Sequence, residues 1–143
     1  MKAKYLALCL LCASFAHAGV SLKIEHQRNP SLVKDIYKID CDKKCELESN
    51  TARPKKKTTE SKVYQEKIQE LFSMQKAGSL PKSNSQGRPL FKIEAKDGNK
   101  TIDLVLAYPL SYKGKEYHKY MKTVSLIEEL KRSMTIELME TKE

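Results

Sequence analysis

Cys41 and Cys45 are the residues whose type and spacing bear most directly on chemistry. A C-x-x-x-C pair lacks the C-x-x-C spacing of a redox motif. A zinc site needs four ligands, and beyond residue 18 the histidines are His26 and His118, so no metal is expected. What remains is a disulfide, the ordinary state of an even cysteine pair in an oxidising compartment. Catalytic sets are scarce. Ser31-Leu32-Val33-Lys34 has the S-x-x-K spacing in which a lysine can activate a serine, but the chain has neither the S-D-N nor the K-T-G partner. Glu128 and Glu129 are adjacent. On a helix adjacent residues diverge by roughly 100°, so these two would not work as a paired acid and base. No Ser/His/Asp set and no glycine-rich phosphate loop stands out. The reading is a protein that binds rather than catalyses, without a cofactor.

The features that do stand out are basic and aromatic. Tyr108, Tyr112, Tyr117 and Tyr120 fall within thirteen residues, interleaved with Lys113, Lys115, Lys119 and Lys122. Tyrosine brings rigid contact area with a polar end and is enriched at protein interfaces. Lysine adds long-range attraction for an acidic partner. The candidate contact set is therefore Tyr112, Lys113, Lys115, Tyr117 and Tyr120. The competing reading is a half-buried strand, with tyrosines inward and lysines in water. Lys43-Lys44 and Lys55-Lys56-Lys57 are two further basic runs, read first as solvated loops.

These residues need elements to position them. Val20 to Ile24 alternates and reads as a strand, broken at Asn29-Pro30. Asp35 to Ser49 reads as a small hairpin with Asp42-Lys43-Lys44 as its loop. That register sets Cys41 opposite Cys45 and Ile39 opposite Leu47. Asn50 to Thr59 reads as a solvated linker. Glu60 to Ala77 is the clearest helix, with Val63, Tyr64, Ile68, Leu71, Phe72 and Met74 on one stripe, Thr59 as N-cap and Gly78 as stop. Arg88 to Leu110 is the central hairpin, two alternating runs about Asp97-Gly98. A turn at those two residues pairs Ile93 with Ile102, Phe91 with Leu104 and Lys92 with Asp103. Lys113-Gly114 reads as another turn, leading into a third strand over Lys115 to Val124. Ser125-x-x-Glu128 reads as a capping box opening a second helix, continued past Met134 in preference to a strand. The fold class is α+β: antiparallel hairpins or a meander packed against one or two helices.

The start of the chain reads as a targeting segment. A basic Met1 to Lys4 precedes an apolar Leu6 to Phe15, too short to cross a bilayer, and Ala16-His17-Ala18 has the form of a signal-peptidase site. The expected organisation is a signal peptide over 1–18 and a single α+β domain over 19–143, exported to the periplasm with no membrane span. Lipid attachment at Cys12 is disfavoured, because Leu10 and Leu11 precede it where small residues belong. The formal charge is +9, and loss of Lys2 and Lys4 with the leader leaves +7. Export argues against nucleic acid as the partner of so basic a domain.

A leader ending Ala16-His17-Ala18, a basic domain of this size, the close pair Cys41/Cys45 and the lack of a catalytic set together resemble the periplasmic immunity proteins of bacteriocins. The resemblance is one of layout over the whole chain. It implies a non-enzymatic protein that binds an imported toxin in the periplasm. The likeness is greatest where that toxin is a muramidase with a phage-lysozyme-like catalytic domain, and inhibition would spare the producer's peptidoglycan. The competing class is an exported basic module that binds anionic envelope polymer or lipid. A secreted factor acting on host proteins is a third.

Overall fold

The computed structural model describes residues 19–27, 34–51, 55–84, 89–107 and 112–140. Six antiparallel strands form one sheet: β1 (Val20–Gln27), β2 (Lys34–Cys41), β3 (Cys45–Ser49), β4 (Lys55–Thr59), β5 (Pro89–Asp97) and β6 (Lys100–Ala107). The spatial order is β4-β3-β2-β1-β5-β6. Helix α1 (Val63–Lys76) lies between β4 and β5 in the chain, and α2 (Lys115–Met139) follows β6. The fold is α+β, as the patterning implies.

Alternation decides which face of the sheet is covered. Leu22 and Ile24, Tyr37 and Ile39, Leu47, Phe91 and Ile93, and Leu104 and Leu106 are all buried, while their chain neighbours face out. Both helices lay their apolar stripes on that side. Ile68, Leu71 and Phe72 come from α1, and Ile127, Leu130 and Met134 from α2. The other side is a mosaic of charge, with Glu46 and Lys56 paired at 2.9 Å across β3 and β4.

The small hairpin has the expected register. Cys41 faces Cys45, Ile39 faces Leu47, and the two cysteines are bonded. The central hairpin keeps its expected faces but shifts its pairing by two residues. Ile93 meets Leu104, Phe91 meets Leu106, and Glu94 meets Asp103. Gly98, at φ 59°, takes the first turn position with Asn99 second. Asp97 and Lys100 then close the ladder as an opposite-charge pair. A slip of two residues leaves each side chain on its own face, so the apolar pattern could not distinguish the two registers.

Other expectations give way. Part of the linker is a strand: Lys55–Thr59 pairs along β3. Its run of lysines hides the strand pattern, and Glu46 supplies the opposite charge. Thr59 is therefore strand rather than helix cap, and its Oγ1 accepts from the Ser61 amide. Helix α1 starts at Val63 behind Lys62, with no side-chain cap, and Val63 is exposed. Its end is as expected. Gly78 at φ 69° lets its amide donate to Gln75 O while Ser79 N donates to Met74 O, the paired bonds of a Schellman stop.

The third expected strand, Lys115 to Val124, is the largest correction. It is the first part of α2, one continuous helix of 25 residues. Tyr120, Thr123, Ile127, Leu130, Met134 and Leu138 are buried at steps of three and four, a helical period that begins before Ser125. Ser125 is therefore an exposed mid-helix residue and not a cap. The Thr123 hydroxyl, a strand-like signal in sequence, donates back to Lys119 O inside the helix. Beyond Met134 the helix continues, as favoured. Residues 1–18, Ser31 to Val33 and Tyr108 to Leu110 lie outside the described residues.

Candidate functional site

The tyrosine-lysine region divides into an inner and an outer half. Tyr112 and Tyr120 are 8% and 1% exposed, with rings stacked at 4.3 Å. The Tyr112 hydroxyl accepts from the Ala107 amide at 3.1 Å, which ties the end of β6 to the approach to α2. Burial pushes the Tyr120 phenol up to about 12, and Tyr112 shifts the same way. The Tyr120 hydroxyl is enclosed and has no hydrogen-bond partner among the described residues. These two members of the expected contact set are core: the helix turns Tyr120 inward, and Tyr112, ahead of the helix, is held by the Ala107 amide and the stack.

The other three face water. Tyr117 is 39% exposed, and Met121, one turn on, is 41% exposed. On a helix, i and i+4 lie side by side, so ring and thioether form one apolar spot. Lys113, Lys115 and Lys122 are exposed too, but Lys115, two residues before Tyr117, and Lys122, five after it, lie on another flank of the helix from this spot. Lys119 is engaged, 3.4 Å from Glu116. Glu116 also accepts from the Lys82 amide at 3.0 Å, which holds its carboxyl below the usual range and straps the 79–84 segment to the start of α2. Lys82, Ser83, Tyr112 and Lys113 line a shallow groove beside this strap. An exposed aromatic residue and methionine on a helix start that also carries exposed lysines can hold a protein surface of acidic character.

The disulfide closes the other basic feature. Asp42, Lys43 and Lys44 are exposed at the tip, and Lys44 lies 3.3 Å from Glu60. Lys55, Lys56 and Lys57 lie on β4 and not in a loop.

No family model matches this chain, and no curated protein does. What the surface can do therefore rests on its own geometry.

One cluster escaped the sequence reading. Lys131 is buried on the inner side of α2, its Nζ 2.9 Å from His26 Nδ1 and 3.4 Å from Glu128. The ammonium sits over the rings of Tyr37 and Phe91 at 5.6 and 5.3 Å, and His26 stacks on Phe91 at 4.5 Å. The ammonium has only protons to give, so His26 Nδ1 accepts. The contacts pin α2 to β1, β2 and β5. A signal was present: Lys131 stands four residues after Ile127 and three before Met134, within the apolar stripe.

Proposed function

We propose that this chain is an exported, non-enzymatic inhibitor that occludes an acidic protein partner, a peptidoglycan-cutting toxin of the muramidase type, in the manner of the periplasmic bacteriocin immunity proteins. The observation that carries the reading is the exposed Tyr117–Met121 pair on α2, in a segment that also exposes Lys113, Lys115 and Lys122 to solvent. The sheet and the buried Tyr112–Tyr120 stack hold that surface in one shape, which lowers the ordering cost of binding. The lysines steer a partner of opposite charge, and the apolar pair supplies contact area that is lost to water on docking. The test mixes the protein with a muramidase toxin and follows complex formation and peptidoglycan hydrolysis. A one-to-one complex that stops hydrolysis and weakens in Tyr117→Ala supports the reading. Binding to envelope polymer with no effect of Tyr117→Ala supports the anionic-polymer class instead.

A further inference from the structure

The two edges of the sheet are finished differently. On β6 the outward backbone is capped. Thr101 O accepts from Gln75 Nε2, Val105 N donates to Ser83 Oγ, and Val105 O accepts from Asn84 N. Against β4 no such cap lies on the backbone of Lys55–Thr59 among the described residues, and the strand pairs with β3 alone. Such an edge is a template for a further strand. Beside it, on the helix side, lies a groove of about 310 Å³ between the start of α1 and the end of α2. Val63, 45% exposed, and Ile136, 52% exposed, line it together with Lys57. The hydrogen bond from the Tyr64 hydroxyl to Glu137, 2.6 Å long, also lies along it.

We propose that the outer edge of β4 docks an extended acidic segment of a partner protein, which adds a seventh strand and sets its apolar residues into this groove. Strand addition draws affinity from backbone bonds and specificity from pockets for alternate side chains. The pattern such a segment needs can be read from β3, which β4 already accepts on its inner edge. Cys45-Glu46-Leu47-Glu48-Ser49 puts Leu47 on the helix side and its two glutamates on the open side, where Glu46 meets Lys56. The same alternation on the outer edge would bring acids to Lys56 and an apolar side chain to Val63 and Ile136. Acids on the helix side are disfavoured by Glu137 and Glu140 in the groove. A second copy of this chain fits poorly, because joining two β4 edges sets one run of three lysines beside another. The inference is independent of the toxin reading, since it uses neither the α2 patch nor export.

The probe is a fluorescein-labelled peptide Ser-Glu-Leu-Glu-Leu-Glu-Ser, titrated with the protein by anisotropy at physiological salt. Amide hydrogen exchange is followed in the same complex. Saturable binding is expected, with new protection at Lys55–Thr59. Replacing the central Glu and the Leu after it by Pro should abolish it, because adjacent strand amides point to opposite edges and one of the two lost donors must face β4. Replacing the Glu residues by Lys should abolish it too. Ile136→Asp, at an exposed position, should weaken binding about tenfold, and so should Lys56→Glu. Equal binding of the Pro peptide, or of the Ile136→Asp protein, would reduce the interaction to diffuse charge attraction and overturn the proposal. No binding, protection confined to another element, or self-association through β4 would overturn it as well.

Discussion

Tyr120 and Lys131 carry the least expected burdens in the core, and each makes a prediction. The Tyr120 hydroxyl is enclosed without a partner among the described residues, and an unsatisfied buried group costs about 1–3 kcal/mol. Tyr120→Phe should therefore be as stable as the parent or more so in urea melts at neutral pH. A loss of more than about 1 kcal/mol would show a hydrogen bond at that oxygen. The same substitution should change the alkaline limb. An unfolded tyrosine ionises near 10.0, whereas folded Tyr120 keeps its proton to about 12. Between those values the unfolded chain has released a proton that the folded chain retains. Stability therefore falls as pH rises through the window and levels off above it. Tyr64 and Tyr112 shift in the same direction, so the loss should be shallower in Tyr120→Phe and not absent. For Lys131, stem and ammonium can be separated. Lys131→Ala removes both and should cost about 1–3 kcal/mol, while Lys131→Met keeps the apolar stem and should cost less than half of that. Equal losses would place the stabilisation in the contacts of the ammonium with His26 and the rings.

At the scale of elements, the central hairpin and the disulfide tip offer the cleanest comparisons. Ile93 is buried against Leu104, and Ile93→Ala should cost about 2–5 kcal/mol, against much less for the exposed Thr101→Ala. Equal costs would put the wrong face of the hairpin inward. The Cys41–Cys45 bond closes a loop of sequence separation 4. In the chain-entropy model so short a loop contributes only about 2 kcal/mol, so the reduced protein should remain folded with a lower urea midpoint. These elements were legible because alternation and turn chemistry act locally. Residues 20–24, 35–49 and 91–106 showed their faces, and Gly78 showed its stop. Of the misread elements, one depends on a neighbouring strand and the other on a local period hidden by its strand-like residue types. Lys55–Thr59 becomes a strand because β3 offers it a ladder, and Lys115–Val124 becomes helix because Tyr120 and Thr123 extend a period set by Ile127 and Leu130. The candidate site suffered from the same error. Its residue types were visible, but a strand reading could not tell that Tyr117 faces water while Tyr112 and Tyr120 face inward, and it gave no role to Met121.

At the scale of the whole molecule, two separate surfaces are presented, the start of α2 with Tyr117, Met121 and its exposed lysines, and the open edge of β4. No helix among the described residues is long and apolar enough to cross a membrane. The central claim is that the first of these surfaces holds an acidic toxin, with steering and holding assigned to different residues. Lysines act at long range, so they should set the association rate, whereas buried contact area should set the dissociation rate. The most direct measurement is surface-plasmon-resonance kinetics of the protein on an immobilised muramidase toxin at several salt concentrations. Lys113→Glu with Lys115→Glu should slow association and flatten its salt dependence while leaving dissociation nearly unchanged. Tyr117→Ala should speed dissociation about tenfold, the equivalent of roughly 1.4 kcal/mol, with association unchanged. Lys96→Glu, on the helix-free face of the sheet, should change neither. Dissociation that is indifferent to Tyr117, or a response to Lys96 as large as that to Lys113 and Lys115, would contradict the account.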